Sequence, residues 1–591
     1  MPASPLDAAD GPLGLTIRLN GTALADTVGV SSVRVEKELN RIPLAVVTLL
    51  DGTVAELEFP MTDSADALPG STIEISAHFG DGAAQALFKG VVTASRLRMR
   101  ASAAPELELT CRDKAIALSG IRRTAKYAKM TDSDIMARII GAAGLETEIA
   151  STSVSADVVQ HECSDWDFLR MLADRNGQVL AVADGKIRSF VPDAATEKLE
   201  LTLGRDILDF DVRIESAPLE AQVKIQGWNP SSQASEVGQA TASGTGGWGN
   251  VTVATLTGVT GSRTRSSVLP YASGQVSLES VAKARAARVP LAAMQGRCSY
   301  QGSALAGPGD AIRMGGVGQR MGGAALVSGI THVLVGGNWT STARLGLPQE
   351  WRSDSAGVPG AGAGGLVAPV TGLQIGKVLA RVDDGSNVLG DTTMLKVELP
   401  LSGDPAIWLW ARFAQPYATT GAGIQFLPET GDEVVLGFLA SDPAAPVVLG
   451  VLHSGGITRA RAATEDNELK GLTTKSGLTV LFDDTKKILT LSTPGGHKAE
   501  LNDDTKELKL TDLTGNTVTM ASAGVTVESK GKLDLKASGA VTITSTSGDV
   551  TAKGMNVTLD GQVGVTAKGA ASAELSAGGQ TTVKGAMVMI N

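Results

Sequence analysis

The sequence predicts a mainly β protein of several domains that closes with a β-helix. Two observations carry this. Aromatic residues are only 4% of 591 residues while 70 are glycine, and the abundant Val and Thr favour short strands over helices. From Lys498 onward the composition changes: no aromatic residue, Pro, His or Cys occurs, and Gly, Thr, Ser, Val and Lys dominate.

The length allows about three to five domains of roughly 100 to 200 residues. Residues 1–352 mix strand patterns, LGLTIRLN and STIEISAHF, with helical ones, an α/β part being expected around 100–215. In TDSDIMARIIGAAGL, Thr131 or Asp132 caps a helix whose Ile135, Ile139 and Ile140 face inward. In SDWDFLRMLADRNG, Ser164 or Asp165 is the cap, Phe168, Leu169 and Leu172 form the apolar stripe, and Gly177 is the stop. Residues 280–296 read as a further helix.

His161, Asp165, Asp167 and Asp174 lie close in sequence, and capping plus a solvated helix face accounts for them. Cys111, Cys163 and Cys298 are odd in number and widely spaced, which predicts buried free thiols. With five histidines, none within a helical turn of another, catalytic, cofactor and metal sites are expected to be absent. The net charge of -10 speaks against a nucleic-acid partner, which would call for a basic face. MPASPLDAADGPLG has no basic stretch leading into an apolar one, so the chain is expected to be cytoplasmic at synthesis and assembly.

Residues 353–367, SDSAGVPGAGAGGLV, read as a Gly-rich linker; no strand-then-helix pattern frames Gly360–Gly365 as a phosphate loop. Residues 368–455 fit a five-stranded barrel of the oligonucleotide-binding (OB) type, with strands near Lys377–Val382, Met394–Leu399, Ile407–Phe413 and Glu433–Leu439 and loops at Gly403–Pro405 and Ser441–Pro446. Trp408, Trp410, Phe413 and Tyr417 are expected in its core or at a subunit interface. Residues 456–477 are a connector.

The repeat is the strongest signal. From Val525 the chain aligns on itself every eight residues: VTVESKGK, LDLKASGA, VTITSTSG, DVTAKGMN, VTLDGQVG. Apolar residues take the first and third places of many units, as in Leu533/Leu535 and Val541/Ile543, and glycines fall late in the unit. Each octad is thus a short strand and a corner. Similar apolar pairs recur at wider spacing from about residue 478. An octad spans about 26 Å when extended, one face of a small prism, so either one chain gives three octads per coil or three chains each give one face. So many small side chains would bury little in a single-chain coil, and the sequence favours a homotrimer with a triple-stranded, intertwined needle at 478–591.

These landmarks resemble, over nearly the whole chain, the VgrG spikes of type VI secretion and the related spikes of extracellular contractile injection systems and contractile phage tails. The most specific stretches are SDWDFLRMLADRNG, GPGDAIRMGG, THVLVGGNWTSTARLG, PETGDEVVLGFLASDPAAPVVLGVLH and TTKSGLTVLFDDT. The resemblance implies a hub of barrel-like α+β domains, an OB-type barrel and a triple-stranded β-helix. It implies as partners a hexameric inner-tube protein, baseplate proteins, effector cargo, the target membrane in transient contact, and a PAAR-type tip protein docked on Met587, Val588, Met589, Ile590 and Asn591 in the terminal GAMVMIN. The function it implies is mechanical puncture without catalysis. A trimeric tail fibre or adhesin, and a β-helical glycan-degrading enzyme, are the competing readings. The octads lack the coil length of roughly 20 to 25 residues and the clustered carboxylates that such an enzyme needs.

Overall fold

The structure, a computed structural model, describes residues 3–8, 11–53, 57–229, 234–246, 248–269, 277–355, 357, 369–387, 393–402 and 407–590. Most of the linker reading at 353–367, the loop at Gly403–Pro405 and the terminal Asn591 lie outside them. The chain divides into two units, Met1–Leu452 and His453–Asn591.

The first unit is built on a sheet of 13 strands. Its order runs from Ile207–Ile214 through Met294–Gln301, Asn338–Leu345 and Gly323–Val335 to Val30–Glu38, then Leu44–Leu50, Ala103–Arg112, Gln85–Arg100, Thr72–Phe79 and Leu13–Leu19. Alternation in these strands is strict where one face is buried: Val33 and Val35, and Ala45, Val47 and Leu49, have no exposed area and enter one core with Ile73, Leu107 and Trp339. A second core on the other half of the sheet gathers Leu199, Tyr300, Ile312, Val327 and Leu345. The halves meet where Gly323–Val335 runs antiparallel to Val30–Glu38, in the register Ile330↔Lys37 and Val333↔Arg34. The 13-residue strand Gly323–Val335 pairs with Asn338–Leu345 along one edge and Val30–Glu38 along the other. The first half curls around its core, since Phe79 stacks on Trp339 at 5.5 Å although their strands lie far apart in the pairing order.

Residues 114–190 form an α/β part with its own core. Helix α1, Asp132–Ala142, is capped by Thr131, whose hydroxyl accepts the Asp134 N–H. Helix α2, Asp165–Arg175, is capped by Ser164, which accepts from the Asp167 N–H, and stops at Gly177 with φ +71°. The buried side chains Ile135, Ile139, Ile140, Phe168, Leu169 and Leu172 face one another across the two helices. Further along, α3 spans Val253–Val259 and α4 spans Leu278–Ala293. Ala282 and Ala286 of α4 pack on Val223 and Ile225 of the strand Gln222–Asn229.

One part of the sequence reading is overturned here. Asp174 is not on a solvated face: it is 2% exposed, accepts from the guanidinium of Arg288 at 2.7 Å and from the Arg352 N–H at 2.7 Å. Arg288 is equally buried and also donates to the Gln178 carbonyl. Desolvation pushes the Asp174 carboxyl above its ordinary range, and Arg288 opposes the shift. Asp165 and Asp167 are partnered too, by Arg123 at 2.7 Å and Arg352 at 2.7 Å, whereas His161 is exposed. The period of a helix says which face a residue takes but not what packs on that face, and here α4 and the 351–354 turn cover it.

The three cysteines are buried and free, and burial pushes the thiols of Cys111 and Cys298 up to about 12. The OB-type barrel closes through Gln374–Ala380, Leu395–Glu398, Trp408–Phe413, Pro446–Val451 and Glu433–Phe438. Pro446–Val451, which starts at the end of the loop read at Ser441–Pro446, is the fifth strand; it pairs parallel to Trp408–Phe413 and closes the ring. Val378, Val397, Ala411, Val434, Leu436 and Val448 fill the interior. Gly376 is required by close packing, since a Cβ there would stand 2.5 Å from Val397.

Two predictions follow from these contacts. Asp174→Ala leaves Arg288 buried and unpaired, at an expected cost of about 3–5 kcal/mol; a loss in urea unfolding below 1 kcal/mol would contradict the burial argument. His332 is 2% exposed, with Nδ1 2.8 Å from the Ser341 hydroxyl and accepting from Trp339 Nε1 at 3.4 Å. Burial, with help from the Lys37 cation, pulls its pKa down to about 3 from 6.5. Its stabilising contribution is complete above pH 6.5 and is lost as pH falls toward 3, by about 1.4 kcal/mol per pH unit. The stability difference between wild type and His332→Gln should shrink over that range, and a constant difference would rule this out.

Candidate assembly surface

The second unit contains a seven-stranded antiparallel meander, from Leu469–Thr473 through Thr479–Asp483, Ile488–Ser492, Lys498–Asn502, Glu507–Thr511 and Thr517–Ala521 to Gly524–Glu528. Every strand has five residues. The second and fourth residues of each therefore share a face. From Thr479 on, these are Val480 and Phe482, Leu489 and Leu491, Ala499 and Leu501, Leu508 and Leu510, Val518 and Met520, Val525 and Val527. The ladder puts them side by side: Phe482↔Leu489, Leu489↔Leu501, Leu501↔Leu508, Leu508↔Met520, Met520↔Val525. The other face carries mainly Thr, Ser, Lys and Glu, such as Thr490, Glu500, Lys509 and Thr519.

Short polar side chains fix the corners. Asp483 accepts the Lys486 N–H at 2.9 Å, Asn502 accepts those of Asp504 and Thr505 at 3.0 Å, and Asp512 accepts those of Thr514 and Asn516. These turns hold the register, and with it the assignment of every apolar side chain to one face.

That face is uncovered. Phe482, Leu491, Leu501, Leu510 and Met520 are each 44–47% exposed. A column of large apolar side chains of this extent on a soluble surface marks an interaction site. The wider-spaced apolar pairs upstream of the octads thus form a meander within one chain.

Beyond Glu528 no strand pairing occurs among the described residues. The backbone instead bends at 530–531, 538–539, 546–548, 554–555, 562–563, 570–571, 578–579 and 586–587, a spacing of eight residues. Val541, Ile543 and Leu559 between the bends are 61%, 72% and 77% exposed. The single-chain coil weighed above, with three octads per turn, is not formed. Extended stretches of this kind leave most of their N–H and C=O groups without a ladder partner in the same chain. Met587, Val588, Met589 and Ile590 are exposed at the end of the run.

The barrel aromatics are divided. Trp410 is buried with its indole N–H on the Ser386 hydroxyl at 3.2 Å, Phe413 packs on the core, and Trp408 stacks under the Lys396 ammonium at 3.9 Å, while Tyr417 is exposed. Among the described residues, no group of His, Cys, Asp and Glu side chains is placed to hold a metal ion. No helix of the described residues is long and apolar enough to cross a membrane.

Comparison with known proteins adds to this geometry. Residues 10–335 match the family model of the Alg8 N-terminal domain, and residues 374–453 that of the type VI secretion system/phage-baseplate injector OB domain. No curated protein matches the chain. Among solved structures it is similar to a tail protein from Neisseria meningitidis MC58, with 14% identity, a TM-score of 0.43, and coverage of 58% of this chain and 99% of that one. It is also similar to the 43 kDa tail protein of prophage MuSo2 from Shewanella oneidensis, with 13% identity, a TM-score of 0.42, and coverage of 57% and 99%. A component of the type VI secretion system of E. coli is similar at 15% identity and a TM-score of 0.37, over 74% of this chain and 99% of that one. By the match over more than half of its length the chain belongs to the Alg8 N-terminal domain family, and its residues 374–453 match the type VI secretion system/phage-baseplate injector OB domain in the region of the motif PETGDEVVLGFLASDPAAPVVLGVLH.

Proposed function

We propose that three copies of this chain form the spike at the front of the inner tube of a contractile injection system. The spike joins tube and baseplate to a tip and punctures the target membrane mechanically for effector delivery. The observation that carries this reading is the uncovered apolar face of 479–528, continued by a segment that bends every eight residues with its apolar side chains exposed.

Two copies would leave two-layered sheets with open edges. Three narrow sheets, each turning one apolar face inward, enclose a triangular core and close by rotation. Past Glu528, strands from three chains supply one another with the hydrogen bonds that a single chain lacks there, giving an intertwined needle. Pairing between chains along the segment transmits axial force without a hinge. No bond-breaking step is assigned to the chain.

Residues 1–352 are the part that meets the hexameric tube protein and the baseplate. Met587–Ile590 and Asn591 receive a PAAR-type tip protein, which covers four exposed apolar side chains. Assembly takes place in the cytoplasm before the particle acts outward, with effector cargo carried on the spike.

Light scattering should give about three times 60.5 kDa for the full chain; a monomer would sink the proposal. Leu501→Asp with Leu510→Asp, on the apolar face, should reduce the mass to that of one chain, whereas Thr490→Asp on the polar face should leave it unchanged. Deleting 525–591 should abolish puncture or assembly while the remainder stays soluble, and injection retained by that variant would refute the role of the needle.

A further inference from the structure

A recess of about 540 Å³ lies between α2 and the strands Val30–Glu38 and Ala103–Arg112 of the first unit. Guanidinium groups from Arg41, Arg112, Arg170 and Arg352 line it, against three carboxylates, Glu36, Glu38 and Asp167. All three carboxylates are engaged. Glu36 pairs with Arg34 at 2.6 Å, Glu38 with Arg344 at 2.5 Å and Arg41 at 3.3 Å, and Asp167 with Arg352 at 2.7 Å.

Two cations are left over. Among the described residues neither Arg112 nor Arg170 has a carboxylate within ion-pair distance, and the Nε of Arg170 is buried without a hydrogen-bond partner. Asp167 and Asp174 act on Arg170 only through space, and burial lowers its pKa from the ordinary arginine value. A guanidinium withdrawn from water without an anion is costly. The walls beside it include Ile42, Ile116 and Trp166, and such surroundings strengthen any charge pairing made inside.

We propose that this recess is an oxyanion-binding site that takes a small carboxylate or phosphate between Arg112 and Arg170. The planar fork of each guanidinium suits two-oxygen contacts with such a group. Arg41 and Arg352, each already sharing its charge with a carboxylate, add to the positive potential at the rim. The volume is that of a small-molecule site, commonly about 300–1,000 Å³. The site lies within the first unit and does not depend on the spike reading.

The test is calorimetric titration of the full-length protein with inorganic phosphate and, separately, with citrate, against sodium chloride at matched ionic strength. Saturable binding of one anion per chain is expected, and the anion that binds more tightly identifies the class. Arg112→Met and Arg170→Met should each weaken it at least tenfold, while Arg213→Met, on an exposed arginine outside the recess, should leave it unchanged. Heats no different from chloride for both anions would overturn the proposal, as would binding that survives both substitutions. The wild-type comparison with chloride decides the matter even where a variant fails to fold.

Discussion

The first unit depends on one long-range ladder, the pairing of Gly323–Val335 with Val30–Glu38. It joins segments nearly 300 residues apart, so the two halves of the sheet share a backbone hydrogen-bond network although each buries its own core. Contacts of this separation cost much loop-closure entropy before they return any energy. The α/β part and the strands beside it lie between the two halves in sequence, and can order locally before the ladder closes.

The buried Arg288–Asp174 pair performs a comparable service on a smaller scale. It ties α4 to α2, and Asp174 also holds the backbone of the 351–354 turn, where Arg352 and Asp354 make further pairs with Asp167 and Arg285. Arg285 stacks 3.9 Å from the Trp351 ring. Removing either partner of such a buried pair would leave the other charge uncompensated, so both positions are constrained together.

The second unit follows a different economy. Its strands are five residues long, and its register is held by Asp and Asn at the corners. A single layer of this kind cannot enclose a core. The apolar face is specified by alternation, and its large side chains stand nearly half exposed. Arginine placement in the first unit is likewise more than one chain's internal pairing uses, since Arg112 and Arg170 remain without carboxylates.

The sequence by itself determined the mainly β class, the caps of α1 and α2, the burial of the three cysteines, the OB-type barrel and the octad period, because each rests on local periodicity, capping chemistry or composition. Alternation at Val480/Phe482 or Leu489/Leu491 is visible along the chain for the same reason. Tertiary structure alone decided that the hub strands form one sheet, that Pro446–Val451 closes the barrel, that Asp174 is buried against Arg288, and that Arg112 and Arg170 line one recess. Those outcomes depend on which segments meet across hundreds of residues, and the periodicity of a strand or helix fixes a face without naming what will lie against it.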